Sequence, residues 1–155
     1  MAVLPPFQRF LEDHRDDVWR FLVASVGRTD ADDCFQETFM AAMRAYPKLR
    51  PDSNLRAWVL TIAHRKALDT YRGRARRAVP VQDVPEVAHH DPELADGALW
   101  EQVRELPAKQ RGAILLRYGA DLSHREIAIA LDCSEEAARR SVHEGLKKLR
   151  AEVAA

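Results

Sequence analysis

Two stretches of this 155-residue sequence carry side chains able to do chemistry on a polyanion. The first is HRKALDTYRGRARR, from His64 to Arg77, which is densely basic; the second is a helical strip of Arg139, Arg140, His143 and Lys147. Guanidinium and ammonium groups neutralise phosphates and release their counterions, and a helix with a cationic N-terminal half can enter a major groove. No comparable arrangement serves catalysis. GxSxG, P-loop, HExxH and Cys/His nucleophile pairings are absent, and the many carboxylates fall on exposed helix faces or in a linker, so no catalytic residue and no enzyme activity is assigned. Cys34 and Cys133 lie far apart outside any CxxC pattern, and His14, His64, His89, His90, His124 and His143 are scattered. Neither a metal site nor a cofactor is expected from them.

Net charge is zero, with 24 basic and 24 acidic residues, but the charge is sorted along the chain. Residues 1–43 carry net −4, residues 44–80 net +8, residues 81–106 net −6 and residues 107–155 net +2. Sorted charge implies different partners for different segments: a polyanion for the +8 block, protein contacts or a solvated linker for the acidic ones. No apolar run reaches the length of a membrane span, and the N-terminus lacks a signal-peptide pattern, so the expectation is a cytoplasmic protein without membrane insertion.

Helical patterns near a period of 3.6 are punctuated by Pro, Gly and polar clusters, and no stretch alternates long enough for a sheet. An all-α fold of two small helical domains follows. A first helix is expected from about Phe7 to Val26, stopped by Gly27, and a second from a Thr29/Asp32 cap through Tyr46, ended by Pro47. Phe35, Phe39 and Met43, four apart, form its candidate core flank, with Asp32, Asp33, Gln36, Glu37 and Arg44 outside. A third helix begins near Asp52-Ser53-Asn54 and turns Leu55, Trp58, Val59, Ile62 and Ala63 inward before becoming basic. Residues 5–77 read as one domain, with Trp58 in its core.

Pro80, Pro85 and Pro92 interrupt residues 78–92, which read as a flexible acidic linker, and residues 93–151 as a second helical domain. There, Pro107 opens a helix running toward Gly119. Ser123-His124-Arg125-Glu126 forms a capping box, Asp132-Cys133-Ser134 a break, and Ser134 caps a helix to about Arg150. A short helix, a tight turn and a longer helix make a helix-turn-helix, with Ala138, Val142, Leu146 and Leu149 inward and Arg139, Arg140, His143 and Lys147 outward.

Residues 30–77, with Gln36-Glu37-Thr38-Phe39, Arg56-Ala57-Trp58 and Ile62-Ala63, resemble region 2 of the sigma-70 family in its extracytoplasmic-function (ECF) branch. Residues 106–150 resemble region 4 of the same family. The resemblance implies a sigma factor that binds core RNA polymerase, at the clamp helices of its largest subunit and at its flap, and directs initiation from promoter DNA. It implies that Asp33, Gln36 and Glu37 dock on the polymerase. It also implies that Arg65, Lys66, Arg72, Arg74, Arg76 and Arg77 grip phosphates around the minus-ten element, with His64 and Tyr71 as candidate base stackers. Arg139, Arg140, His143 and Lys147 would then read the minus-thirty-five element. A partner of the anti-sigma class, and a cytoplasmic, nucleoid-associated location, are implied as well.

Two positions depart from the family pattern. Many members carry Asn where this chain has Arg65, and that Asn is expected to touch a flipped base; a guanidinium has five donors and no acceptor and cannot copy an amide. Ala138 stands where a β-branched residue is frequent, so a slightly thinner core is expected there. For the acidic tether two readings stand, an imitation of nucleic-acid charge displaced by the transcript or a soluble spacer. The competing function is a freestanding helix-turn-helix regulator, which leaves Gln36, Glu37 and the basic third helix without a joint purpose. The terminal Ala154-Ala155 resembles tags read by ATP-dependent proteases, a further candidate partner.

Overall fold

The computed structural model describes residues 3–77 and 97–154, so the 78–92 linker and the step into the second domain at 93–96 lie outside the described residues. It contains α1 (Phe7–Val26), α2 (Arg28–Ala45), a 3-10 turn (Tyr46–Lys48), α3 (Leu55–Arg77), α4 (Gly97–Arg104), α5 (Ala108–Ile114), α6 (His124–Leu131) and α7 (Glu135–Ala154). The described residues contain no strand, and none of their helices is long and apolar enough to cross a membrane.

The first three helices pack pairwise around Phe10, Phe21, Leu22, Val59 and Leu60, all fully buried. At their lower end Phe10 sits among Phe7, Tyr46 and Trp58 with ring centroids 5.5, 5.1 and 5.7 Å away, so Trp58 is a packing residue as its apolar face requires. Gly27 joins α1 to α2 alone. Its φ of 83° and ψ of 164° belong to a region open essentially to glycine, and its N–H donates to Val23 O at 3.0 Å. That single-residue reversal makes Gly27 the N-cap of α2, two residues ahead of the expected Thr29 cap, and no side chain caps it. Asn54 does cap α3, its Oδ1 accepting the Ala57 N–H at 3.1 Å.

In the second group α7 lies against α5 and α6, and Ile114 and Val142 are buried between them, with Ala138 fully buried. The expected long helix after Pro107 ends at Ile114 and passes into a π turn, Leu115–Gly119. The capping box of α6 is complete: Glu126 N–H donates to Ser123 Oγ at 3.1 Å and Ser123 N–H to Glu126 Oε1 at 2.9 Å. Asp132 closes α6 in a left-handed conformation, and Ser134 Oγ accepts the Ala137 N–H at 3.0 Å to open α7.

The two groups pack against each other. α6 lies on α3, and α4 and the π turn lie on α1, so the buried side chains of both halves form one continuous cluster.

Candidate polymerase and nucleic-acid interfaces

On α2 the buried positions are Ala31, Cys34, Thr38, Phe39 and Ala42. Asp33, Gln36 and Glu37 are exposed on the other side, as the sequence indicated. Met40 and Met43, 50% and 55% exposed, share an arc of about 120° with them at 100° per residue. Met43 is thus not part of the core flank expected with Phe35 and Phe39, because the flank drifts around a 3.6-residue helix and leaves the interior by its third member. The strip therefore combines carboxylates and an amide with two adaptable apolar side chains, a composition suited to a protein partner.

The basic half of α3 divides in two. Arg65, Arg72 and Arg76 are exposed and Lys66 is half-buried, free to meet phosphate apart from a 3.9 Å ion pair of Arg72 with Asp69. The side chain of Arg77 lies outside the described residues. Arg74 is turned back: it donates to Val26 O at 2.6 Å and pairs with Asp30, so it caps the C-terminus of α1.

His64 and Tyr71, the expected stackers, are both covered. His64 is 7% exposed, edge-on to Phe21 at 6.4 Å, and the backbone of Gly112 closes over its ring. Burial, followed by the charges of Arg111 and Arg65, pushes its pKa down to about 4. Tyr71 donates its hydroxyl proton to Ser25 O, and the Arg111 guanidinium lies 4.0 Å from the ring centroid. Burial pushes the Tyr71 phenol up. The periodicity that put these rings near the basic face could not show that the second group of helices would cover them.

Sequence reasoning missed Arg104 and Arg111. Arg104 donates to Ala24 O and Val23 O at 3.0 and 3.1 Å, satisfying carbonyls in the last turn of α1. Only the folded arrangement could reveal this, since the cation comes from the other half of the chain.

On α7, Arg139, Arg140, His143 and Lys147 are all exposed and span about 100° of the helix. Arg139 and Arg140 are steadied by Glu135 and Glu136 at 3.4 and 3.7 Å, exposed pairs that orient more than they stabilise. The buried side of the same helix rests on the capped α6, so a docked α7 would present this strip outward. Behind it, α4, α5, the π turn and α7 enclose an apolar groove of about 510 Å³ lined by Leu99, Trp100, Val103, Tyr118, Leu146 and Leu149 among others.

The family model for sigma-70 region 2 matches residues 10–77 and that for sigma-70 region 4 matches residues 96–149. The chain belongs to the sigma-70 family. Within it, the chain is 34% identical to the ECF RNA polymerase sigma factor SigD of Mycobacterium tuberculosis, across 94% of this chain and 76% of that protein. It is 30% identical to SigX of Bacillus subtilis, across 93% and 81%. These relatives place it in the ECF branch. Among solved structures, CnrH in complex with the cytosolic domain of CnrY superposes with a TM-score of 0.75 and 28% identity, covering 95% of this chain and 86% of that one. RpoE of Bartonella quintana, in complex with the anti-sigma factor NepR, shares the fold at a TM-score of 0.77 and 21% identity, covering 96% of this chain and 97% of that one. Sigma factors bind RNA polymerase and direct promoter-specific initiation, and they are not enzymes; this sigma factor carries both of the regions concerned, in order.

Proposed function

We propose that this sigma factor holds core polymerase through Asp33, Gln36, Glu37 and Met40 on α2, meets the minus-ten region through α3, and reads the minus-thirty-five element through α7. The single observation that carries this division is that one acidic and apolar face and two separate cationic faces are exposed on the two helical groups matched by regions 2 and 4. The α2 strip is acidic and apolar, suited to a basic partner such as the clamp helices of the largest polymerase subunit; the other two faces are cationic, suited to DNA. The apolar groove beside α7, with Leu99 and Tyr118 partly exposed, suits an apolar helix of the polymerase flap.

Exposed Arg65 fits a phosphate or a guanine edge rather than the amide contact expected of Asn at this position. The proposed domains are 5–77 and 93–151, joined by the 78–92 tether, and the protein works in the cytoplasm at the nucleoid. An anti-sigma factor is a proposed partner, supported by the complexes in which the CnrH and RpoE structures were solved. Recognition of the Ala154-Ala155 end by an ATP-dependent protease is also proposed, resting on residue type alone because Ala155 lies outside the described residues. An unaltered cellular half-life after Ala154→Asp/Ala155→Asp removes it.

Mixing the purified chain with core polymerase, followed by transcription on genomic fragments with mapped start sites, tests the main reading. The expected result is a stable complex and promoter-dependent transcripts. Binding to duplex DNA without any binding to core would instead establish the freestanding regulator.

A further inference from the structure

Three arginines from three helices converge on the C-terminal end of α1. Arg104 of α4 donates from Nε to Ala24 O at 3.0 Å and from Nη2 to Val23 O at 3.1 Å, and Arg74 of α3 donates to Val26 O. Arg111 of α5 lies 4.0 Å from the centroid of the Tyr71 ring and Arg74 lies 6.0 Å from it. Burial raises the Tyr71 pKa against the opposing pull of Arg111, Arg104 and Arg74, so all three cations surround one phenol.

Their charge is poorly matched. Asp30 pairs with Arg74, but among the described residues neither Arg104 nor Arg111 has a carboxylate within ion-pair distance. The end of α1 supplies about half a negative charge and Asp30 a whole one, which leaves an excess of about +1.5 over the three guanidiniums. Donors are in excess as well. A guanidinium carries five, of which Arg104 uses two on the α1 carbonyls, while Arg111 makes a single hydrogen bond, to Arg104 O at 3.4 Å. Beside them the fully buried Ser25 hydroxyl has no hydrogen-bond partner among the described residues. Arg104 and Arg111 are half-buried, so their charges are partly desolvated and still within reach of solvent.

We propose that Arg74, Arg104 and Arg111 form a binding site for a small phosphorylated anion of the diphosphate class, seated against the C-terminal end of α1. Planar guanidinium forks match phosphoryl oxygens two at a time, and forks arriving from three helices offer more donors than one orthophosphate can use. Two linked phosphoryl groups bring the oxygens and the clustered negative charge that the excess calls for. A nucleic-acid backbone, with one charge per phosphate spaced along a chain, fits a half-buried corner less well than an exposed face. The same group occurs in free pyrophosphate and in nucleoside diphosphates.

The test is calorimetric titration of the full chain with inorganic pyrophosphate, orthophosphate and adenosine diphosphate at low ionic strength, with helical content as a folding control. Pyrophosphate is expected to bind one to one and at least about tenfold more tightly than orthophosphate, with Arg111→Gln weakening it by about tenfold or more. Arg111→Lys, which keeps the charge and loses the fork, should weaken it by a smaller factor and decides the matter if Arg111→Gln loses helical content. Arg139→Gln/Arg140→Gln, on the separate cationic face of α7, should bind pyrophosphate as the parent does. Adenosine diphosphate binding more tightly than pyrophosphate names a nucleotide as the source of the group; no tighter binding names free pyrophosphate. Absence of pyrophosphate binding to the parent, equal affinity for orthophosphate, parent-like affinity in a folded Arg111 variant, or loss of binding in Arg139→Gln/Arg140→Gln overturns the site.

Discussion

Arg111 and Tyr71 belong to different halves of the chain, yet the guanidinium of one lies 4.0 Å above the ring of the other while the phenol donates to Ser25 O. The tyrosine thus ties α3 to α1 with its hydroxyl and to α5 with its face. These two roles are separable. Tyr71→Phe keeps the ring beneath Arg111 and loses one hydrogen bond, an expected cost of about 1 kcal/mol. Tyr71→Ala loses the ring too, an expected cost of about 2–3 kcal/mol. Urea unfolding of both variants checks the order; equal midpoints for Phe and Ala would mean that the ring contact contributes nothing.

The α2 strip should be separable from everything else. Glu37→Lys reverses charge on an exposed position, so folding is expected to stay within about 0.5 kcal/mol of the parent while affinity for core polymerase drops about tenfold or more. Met40→Ser should lower the same affinity by a smaller factor, about fivefold, through lost apolar burial. Titration of labelled core with each variant measures both, and parent-like affinity in Glu37→Lys would remove this face from the docking surface.

For α7 the prediction runs the other way. Arg139→Ala or Arg140→Ala should weaken minus-thirty-five recognition by about 1–3 kcal/mol and leave core binding intact, since both side chains are exposed on a helix whose buried side is untouched. Run-off transcription from a cognate promoter reads the loss. Undiminished transcripts from both variants would contradict the assignment.

Acid should loosen the molecule from the inside. The unfolded chain titrates His64 near 6.5 and the folded chain near 4, so between those values the folded state binds fewer protons. Its contribution is complete above 6.5 and is lost as pH falls toward 4, up to about 3 kcal/mol. Glu126 adds a lower window. Burial raises its pKa, but hydrogen bonds from Ser123 and Asn54, with Arg56 nearby, more than offset that and leave it below 4.5. Its contribution is therefore present above 4.5 and lost as pH falls through the depressed value. Denaturant midpoints should decline from about pH 7 to about pH 4.5, with a shallower decline in His64→Gln. A flat parent profile over that range would show that His64 is not buried uncharged.

What could be read from residues alone was whatever depends on near neighbours in the chain. Gly27 after Val26, Ser123 three residues before Glu126 and Ser134 ahead of Glu135 and Glu136 mark helix ends because capping acts over one turn. The exposure of Glu37, Arg139 and Arg140 follows from helical periodicity in the same way. Met43 marks where that reasoning fails, since a fixed spacing of four drifts off the buried face.

Tertiary packing alone decided the fate of His64, Tyr71 and Arg74. Each has an environment set by partners distant in sequence: Gly112 and Phe21 for the first, Arg111 and Ser25 for the second, Asp30 and Val26 for the third. A local pattern says that a side chain is aromatic or cationic and which way its helix can turn it. Whether it then meets solvent or another helix depends on long-range packing, which no window of a few turns contains.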